Sequence, residues 1–176
     1  MSNASSITYQ ADLPISWRYT DAPGATVLSQ ARQSNLVLLH ALSTLESAPE
    51  KDHDADPAIS KAVDRLEAKL DVALGMLARL VAEQTNIPAC AQVTLGARQI
   101  EWCEASTLPT RDSVVCILLH LSKKLPEPMQ LYGRVISVQG DRCVAEFIDL
   151  DEELEEWITR TLFRYHRRAL QARHQP

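Results

Sequence analysis

The chain has 176 residues, 45% of them hydrophobic and 23% charged, with a net charge of −5. Those values suit a soluble globular protein of one domain, or one domain with an appendage, and exclude a disordered chain. The acidic balance, with no region rich in Lys and Arg, argues against nucleic acid or an anionic membrane surface as partner.

The first residues, Met1-Ser-Asn-Ala-Ser-Ser, lack the basic and apolar blocks of a secretory signal. Residues Leu13 to Thr20 alternate apolar and polar side chains and are rich in β-formers, which predicts a strand. Asp21-Ala-Pro-Gly breaks it.

From Thr26, read as an N-cap, the period becomes helical. Leu28, Ala31, Asn35, Leu38, Leu42 and Leu45 step by three and four, an a/d stripe with Asn35 at an a position. Such an Asn either fixes the register of a helical assembly or faces solvent. A polar link, Ser47 to Pro57, follows. Its Asp52-His53-Asp54-Ala55-Asp56 contains metal-binding residue types, but in a polar loop they read as solvated. Asp56 and Pro57 fit the N-cap and first position of the next helix.

That helix is predicted from Pro57 to about Thr85. Ile59, Val63, Leu66, Leu70, Ala73, Leu77 and Leu80 keep the heptad. Glu67 and Lys69 flank the seam in the first half; Leu74, Met76 and Val81 widen it in the second. Ala68, Gly75, Ala78 and Ala82 lie opposite, small enough for another helix to approach. An apolar stripe backed by small residues suits more than one helical neighbour. An antiparallel hairpin with the preceding helix, associating with other copies, satisfies this; a hairpin lying on its own domain is the rival. Its most apolar part, Val72 to Ala82, is too short to span a bilayer, so no membrane insertion is expected.

Strands resume past Pro88, over Ala91 to Gly96, Gln99 to Glu104, Ser113 to Leu121, Gln130 to Val138 and Arg142 to Phe147. Gly140-Asp141 is a hairpin turn. With the first strand that makes six, enough for a small antiparallel barrel. The final helix starts near Asp149 to Asp151 and runs to about Arg173, burying Leu154, Trp157, Ile158, Leu162 and Tyr165. Its acids lead and its arginines trail, as the helix dipole favours. Cys90, Cys103, Cys116 and Cys143 form no CxxC or Cys/His pair and read as buried thiols of a reduced, cytoplasmic protein.

The segment Leu131-Tyr-Gly-Arg-Val-Ile-Ser-Val-Gln-Gly-Asp-Arg-Cys-Val-Ala-Glu-Phe-Ile-Asp-Leu-Asp resembles the PilZ domain. That family pairs a Gly-Arg-Val strand with one ending in Phe, then Asp-Leu-Asp and a helix. Leu13 to Trp17 resembles its first strand. Val93 to Ile100 stands where it carries Asp/Asn-x-Ser-x-x-Gly. The resemblance implies an α+β fold: a six-stranded antiparallel PilZ-like barrel with a C-terminal helix, here interrupted by a two-helix heptad hairpin. The expected layout is residues 1–20 as arm and first strand, 21–88 as a helical oligomerisation region, and 89–176 as the rest of the barrel and last helix.

PilZ domains bind cyclic di-GMP through that turn and an Arg-x-x-x-Arg loop before the first strand. Guanidinium groups suit both phosphate and guanine. Here no arginine precedes Arg18, and Thr94, Gly96 and Gln99 occupy the places of Asp/Asn, Ser and Gly. Arg160, Arg164 and Arg168 have the spacing, but on a terminal helix. No catalytic constellation, metal set or cofactor cradle stands out. The sequence thus points to a non-catalytic regulatory adaptor that self-associates, as a tetramer or else a dimer, and engages a protein partner it cannot name. The alternative is a cyclic di-GMP receptor with a non-standard site. The resemblance further implies a role in motility, type IV pili or virulence.

Overall fold

A computed structural model describes residues 7–46, 57–84, 87–104, 107–122 and 125–173. The Asp52 to Asp56 cluster lies outside them. The element order is β1 (Tyr9–Tyr19), α1 (Ala25–Glu46), α2 (Pro57–Gln84), β2 (Cys90–Leu95), β3 (Gln99–Cys103), β4 (Val114–Leu119), β5 (Met129–Gln139), β6 (Arg142–Phe147) and α3 (Glu152–Arg173). The six strands close into an antiparallel barrel in the order β1-β2-β3-β6-β5-β4. The α+β fold with a six-stranded barrel expected from the sequence is the fold observed.

Closure depends on β1, which changes partner halfway. Tyr9 to Pro14 pair with β2, and Ile15 to Tyr19 with β4. Alternation then points Val93, Leu95, Ile100, Trp102, Val115, Ile117, Leu119 and Val135 inward, all essentially inaccessible. Two glycines serve this sheet. Gly140, at φ +61°, makes the β5–β6 turn. At Gly133 a Cβ would stand 3.1 Å from Ala145 Cβ and 3.3 Å from the Glu146 carbonyl oxygen, so only glycine lets β5 and β6 approach there. The β5–β6 register shifts between Val135 and Ser137, a bulge that leaves Ile136 on the surface.

Helix α3 begins where Asp151 Oδ1 accepts the Leu154 N–H at 2.9 Å, with Glu152, Glu153 and Glu155 in its first turn. Its Leu154, Ile158, Leu162 and Tyr165 are buried as the periodicity predicts; Trp157 is half-buried and packs on the His40 ring. Helix α1 starts one residue before the expected cap: the Leu28 N–H donates to the Gly24 carbonyl, placing Thr26 inside the first turn.

Three positions expected to join chains are occupied within one chain. Asn35, Leu38 and Leu42 are at most 4% exposed, because α1 packs against β5 and α3. Leu38, Leu39 and Leu42 enter the same apolar cluster as the barrel interior and α3. The reason is a wider apolar face than the a/d stripe suggests, since Leu39, outside the stripe, is wholly buried. Helix α1 and α2 share no extensive contact among the described residues.

The cysteines divide. Cys116 and Cys143 are buried, whereas Cys90 is exposed and Cys103 partly so, because both fall on the outward parity of β2 and β3. Burial pushes the Cys143 thiol up to about 12, so it stays protonated and inert.

Candidate functional site

Helix α2 is the element whose sequence and environment disagree most. It runs 28 residues, rich in Ala and Leu, which favour helix whatever surrounds them. Its heptad residues face solvent: Ile59, Val63, Leu66, Leu70, Leu77 and Leu80 are 46–66% exposed, and Ala73 is exposed with them. Val72, Met76 and Val81 extend the apolar surface in the second half. On the other side Ala78 is buried, and nothing lies within 4 Å of a Cβ built at Gly75. A contiguous apolar stripe of this kind marks an interaction surface.

Helix α1, by contrast, is fastened to the barrel by polar contacts no periodicity reveals. The Asn35 carboxamide donates to the Gln130 carbonyl at 2.7 Å and accepts the Gln130 N–H at 2.9 Å. The β5–β6 ladder reaches only to Gly133, so Asn35 takes the role of a neighbouring strand beyond its end. Arg32 pairs with Asp151 at 3.1 Å, joining α1 to the start of α3. At the other end Glu46 meets Arg168 at 2.9 Å and accepts the Tyr165 hydroxyl at 3.4 Å. Burial and the Glu46 charge raise the Tyr165 pKa, so its hydroxyl stays protonated and donating.

The second candidate surface surrounds Thr94, Gly96 and Gln99. Thr94 is half-buried in β2 and Gln99 exposed at the start of β3, with the Gly96 N–H donating to the Gln99 carbonyl at 2.9 Å. The structure therefore brings the three together around one β2–β3 turn. Their outward neighbours are Gln10 and Asp12 on β1, Glu101 on β3 and Glu146 on β6. The nearby cations are engaged: Arg142 with Glu101 at 2.8 Å and Arg98 with Glu155 at 3.2 Å. A face of carboxylates and paired arginines disfavours a ligand with two phosphates.

Of the three evenly spaced α3 arginines, Arg160 pairs with Glu156 at 2.6 Å and Arg168 with Glu46 at 2.9 Å. Arg164 donates one bond to Thr161 Oγ1 at 3.2 Å and keeps its buried Nε and Nη1 without a partner among the described residues. His120 is buried at the end of β4, its N–H donating to the Pro14 carbonyl. No group of three or more potential metal ligands occurs among the described residues, and no described helix is long and apolar enough to cross a membrane.

A closed antiparallel barrel covered by a C-terminal helix, with glycine at the tight β5–β6 crossing, defines a PilZ-type domain. The chain belongs to the atypical PilZ family: a family model described as "Atypical PilZ domain, cyclic di-GMP receptor" matches residues 39–174. That span begins in α1 and takes in all of α2. Among solved structures the chain is similar to a pathogenic protein from Xanthomonas campestris. That protein is described as a new tetrameric PilZ domain self-assembled via an unusual helical bundle. The likeness has a TM-score of 0.74 and 26% identity, covering 96% of this chain and 92% of that one. No curated protein matches.

Proposed function

We propose that this chain is a non-catalytic regulatory PilZ protein whose α2 helices join four copies into one assembly. The carrying observation is the uncovered heptad stripe of Ile59, Val63, Leu66, Leu70, Ala73, Leu77 and Leu80. Burying a Leu, Ile or Val side chain is worth about 1.5–3 kcal/mol, so six such residues supply on the order of ten kcal/mol per helix before ordering costs. Leu at the a positions and the added Met76 and Val81 flank fit a bundle of more than two helices. The tetrameric helical bundle of the Xanthomonas campestris protein supports the same number.

On this reading the barrels are displayed around a helical core, and residues 57–84 do the joining, without Asn35, Leu38 and Leu42. The protein acts in the cytoplasm by presenting surfaces to a protein partner, in the control of motility, type IV pili or virulence. On this reading cyclic di-GMP is not held by the usual turn residues, because Thr94, Gly96 and Gln99 sit among carboxylates. The test is the double variant Leu70→Asp/Leu77→Asp. It should sediment as a smaller species with the barrel's circular dichroism unchanged; an unchanged mass refutes the α2 interface.

The family's description as a cyclic di-GMP receptor favours a second reading, a receptor with a non-standard site. Calorimetric titration with cyclic di-GMP separates the two. Heat that saturates at micromolar ligand supports the receptor; silence supports the adaptor.

A further inference from the structure

Helix α3 outruns the barrel. Tyr165 is its last buried residue, and from His166 to Leu170 every side chain is exposed. On the side turned away from Leu154, Ile158, Leu162 and Tyr165, Arg160, Phe163, Arg167 and Leu170 step by three and four. All are exposed, Phe163 to 53% and Leu170 to 44%. That spacing sets them in one line along the helix, with Phe163 and Leu170 two turns, roughly 10.5 Å, apart. Cationic and apolar positions thus alternate along a seam.

The fold does not account for this seam. After Glu156 the chain has five arginines and no acid, although its net charge is −5. The helix dipole favours cations within the last turn, which ends at Arg173, well past Arg160 and Arg167. Arg167 makes no ion pair or hydrogen bond among the described residues. Arg160 is set in place by Trp157, whose ring centroid lies 5.4 Å from its guanidinium carbon, and by Glu156 at 2.6 Å. Both members of that ion pair are well exposed, so Arg160 can exchange Glu156 for another acid at little cost. Phe163 stands between the two cations and joins neither apolar cluster.

We propose that this seam docks an acidic amphipathic helix of a partner protein. Its Asp or Glu side chains face Arg160 and Arg167, and its large apolar side chains pack on Phe163 and Leu170, in the alternation of two facing helices. Charge selects this occupant. A second copy of α3 would bring four arginines to one seam with no acid between them. A bilayer surface calls for a broad apolar face, whereas this one is a single line interrupted by arginine. The proposal gives a face and a chemistry to the protein partner of the adaptor reading, on which it rests. Helices α2 and α3 share no extensive contact among the described residues, so docking and assembly use separate surfaces.

The probe is a phage-displayed library of helical peptides on an alanine frame, randomised at the heptad core and flanking positions. It is selected on the intact wild-type protein, and the binders are synthesised as single peptides. They should carry Asp or Glu at one core position and a large apolar residue at the next. Arg167→Glu should weaken a chosen peptide about tenfold or more, and exchanging that peptide's acids for lysine should restore its binding to the variant. Phe163→Ser should weaken the same peptide, with sedimenting mass and circular dichroism unchanged in both variants. Leu70→Asp/Leu77→Asp should still bind it, so failure of docking and failure of assembly are read separately. Three results would overturn the proposal. The selected peptides lack acids; Arg167→Glu leaves affinity unchanged, or the charge exchange does not restore it; or the wild-type protein binds phosphatidylserine vesicles and Arg167→Glu does not, which assigns the seam to a membrane.

Discussion

Asn35 stands where a heptad expects a contact between helices, and its carboxamide instead completes the hydrogen bonding of Gln130 on β5. Asn35→Leu keeps the branched outline, adds some bulk and removes both bonds. It should cost about 1–3 kcal/mol by leaving a part-buried N–H and C=O unpaired, read as a lower urea midpoint with unchanged assembly mass. Gly133→Ala drives a methyl against Ala145 Cβ and the Glu146 carbonyl oxygen. Backbone cannot give way cheaply there, so about 1–3 kcal/mol should again be lost in thermal or urea unfolding. His120 gives a pH signature. Burial lowers its pKa from the ordinary 6.5, so the unfolded chain takes up this proton more readily than the folded one. Stability from this group is present above about pH 6.5 and falls as pH drops below it. His120→Phe should flatten that part of the stability–pH curve; an equally steep curve assigns it elsewhere.

At the scale of elements, α1 and α2 carry the same period and meet opposite fates. Leu42→Ala in α1 should cost about 2–5 kcal/mol of folding stability while the chains stay associated. Leu70→Asp/Leu77→Asp in α2 should do the reverse, and the pair of outcomes distinguishes the two helices in one urea and sedimentation series. The strands were legible because alternation and turn residues act locally: five of the six predicted ranges match to within two residues, and only β1 runs four residues further, back to Tyr9. The α1 partner was not legible, since Arg32 and Asp151 stand 119 residues apart and Asn35 binds a backbone. The one local hint was Leu39, beside the stripe, which widens the apolar face as two neighbours require. The ligand turn was legible as a pattern, yet its electrostatics were not. Glu101 and Glu146 reach it only through strand pairing.

For the whole molecule, the barrel, α1 and α3 form one apolar core, and the α2 stripe of Ile59, Val63, Leu66, Leu70, Leu77 and Leu80 stays outside it and exposed among the described residues. A solvent-facing heptad of that length is costly unless other copies bury it. Sedimentation equilibrium of the wild-type chain across a hundredfold range of concentration is the direct test. A mass about four times the 19.6 kDa of one chain is expected, falling only at the lowest concentrations. A wild-type mass of a single chain throughout that range would contradict assembly through α2.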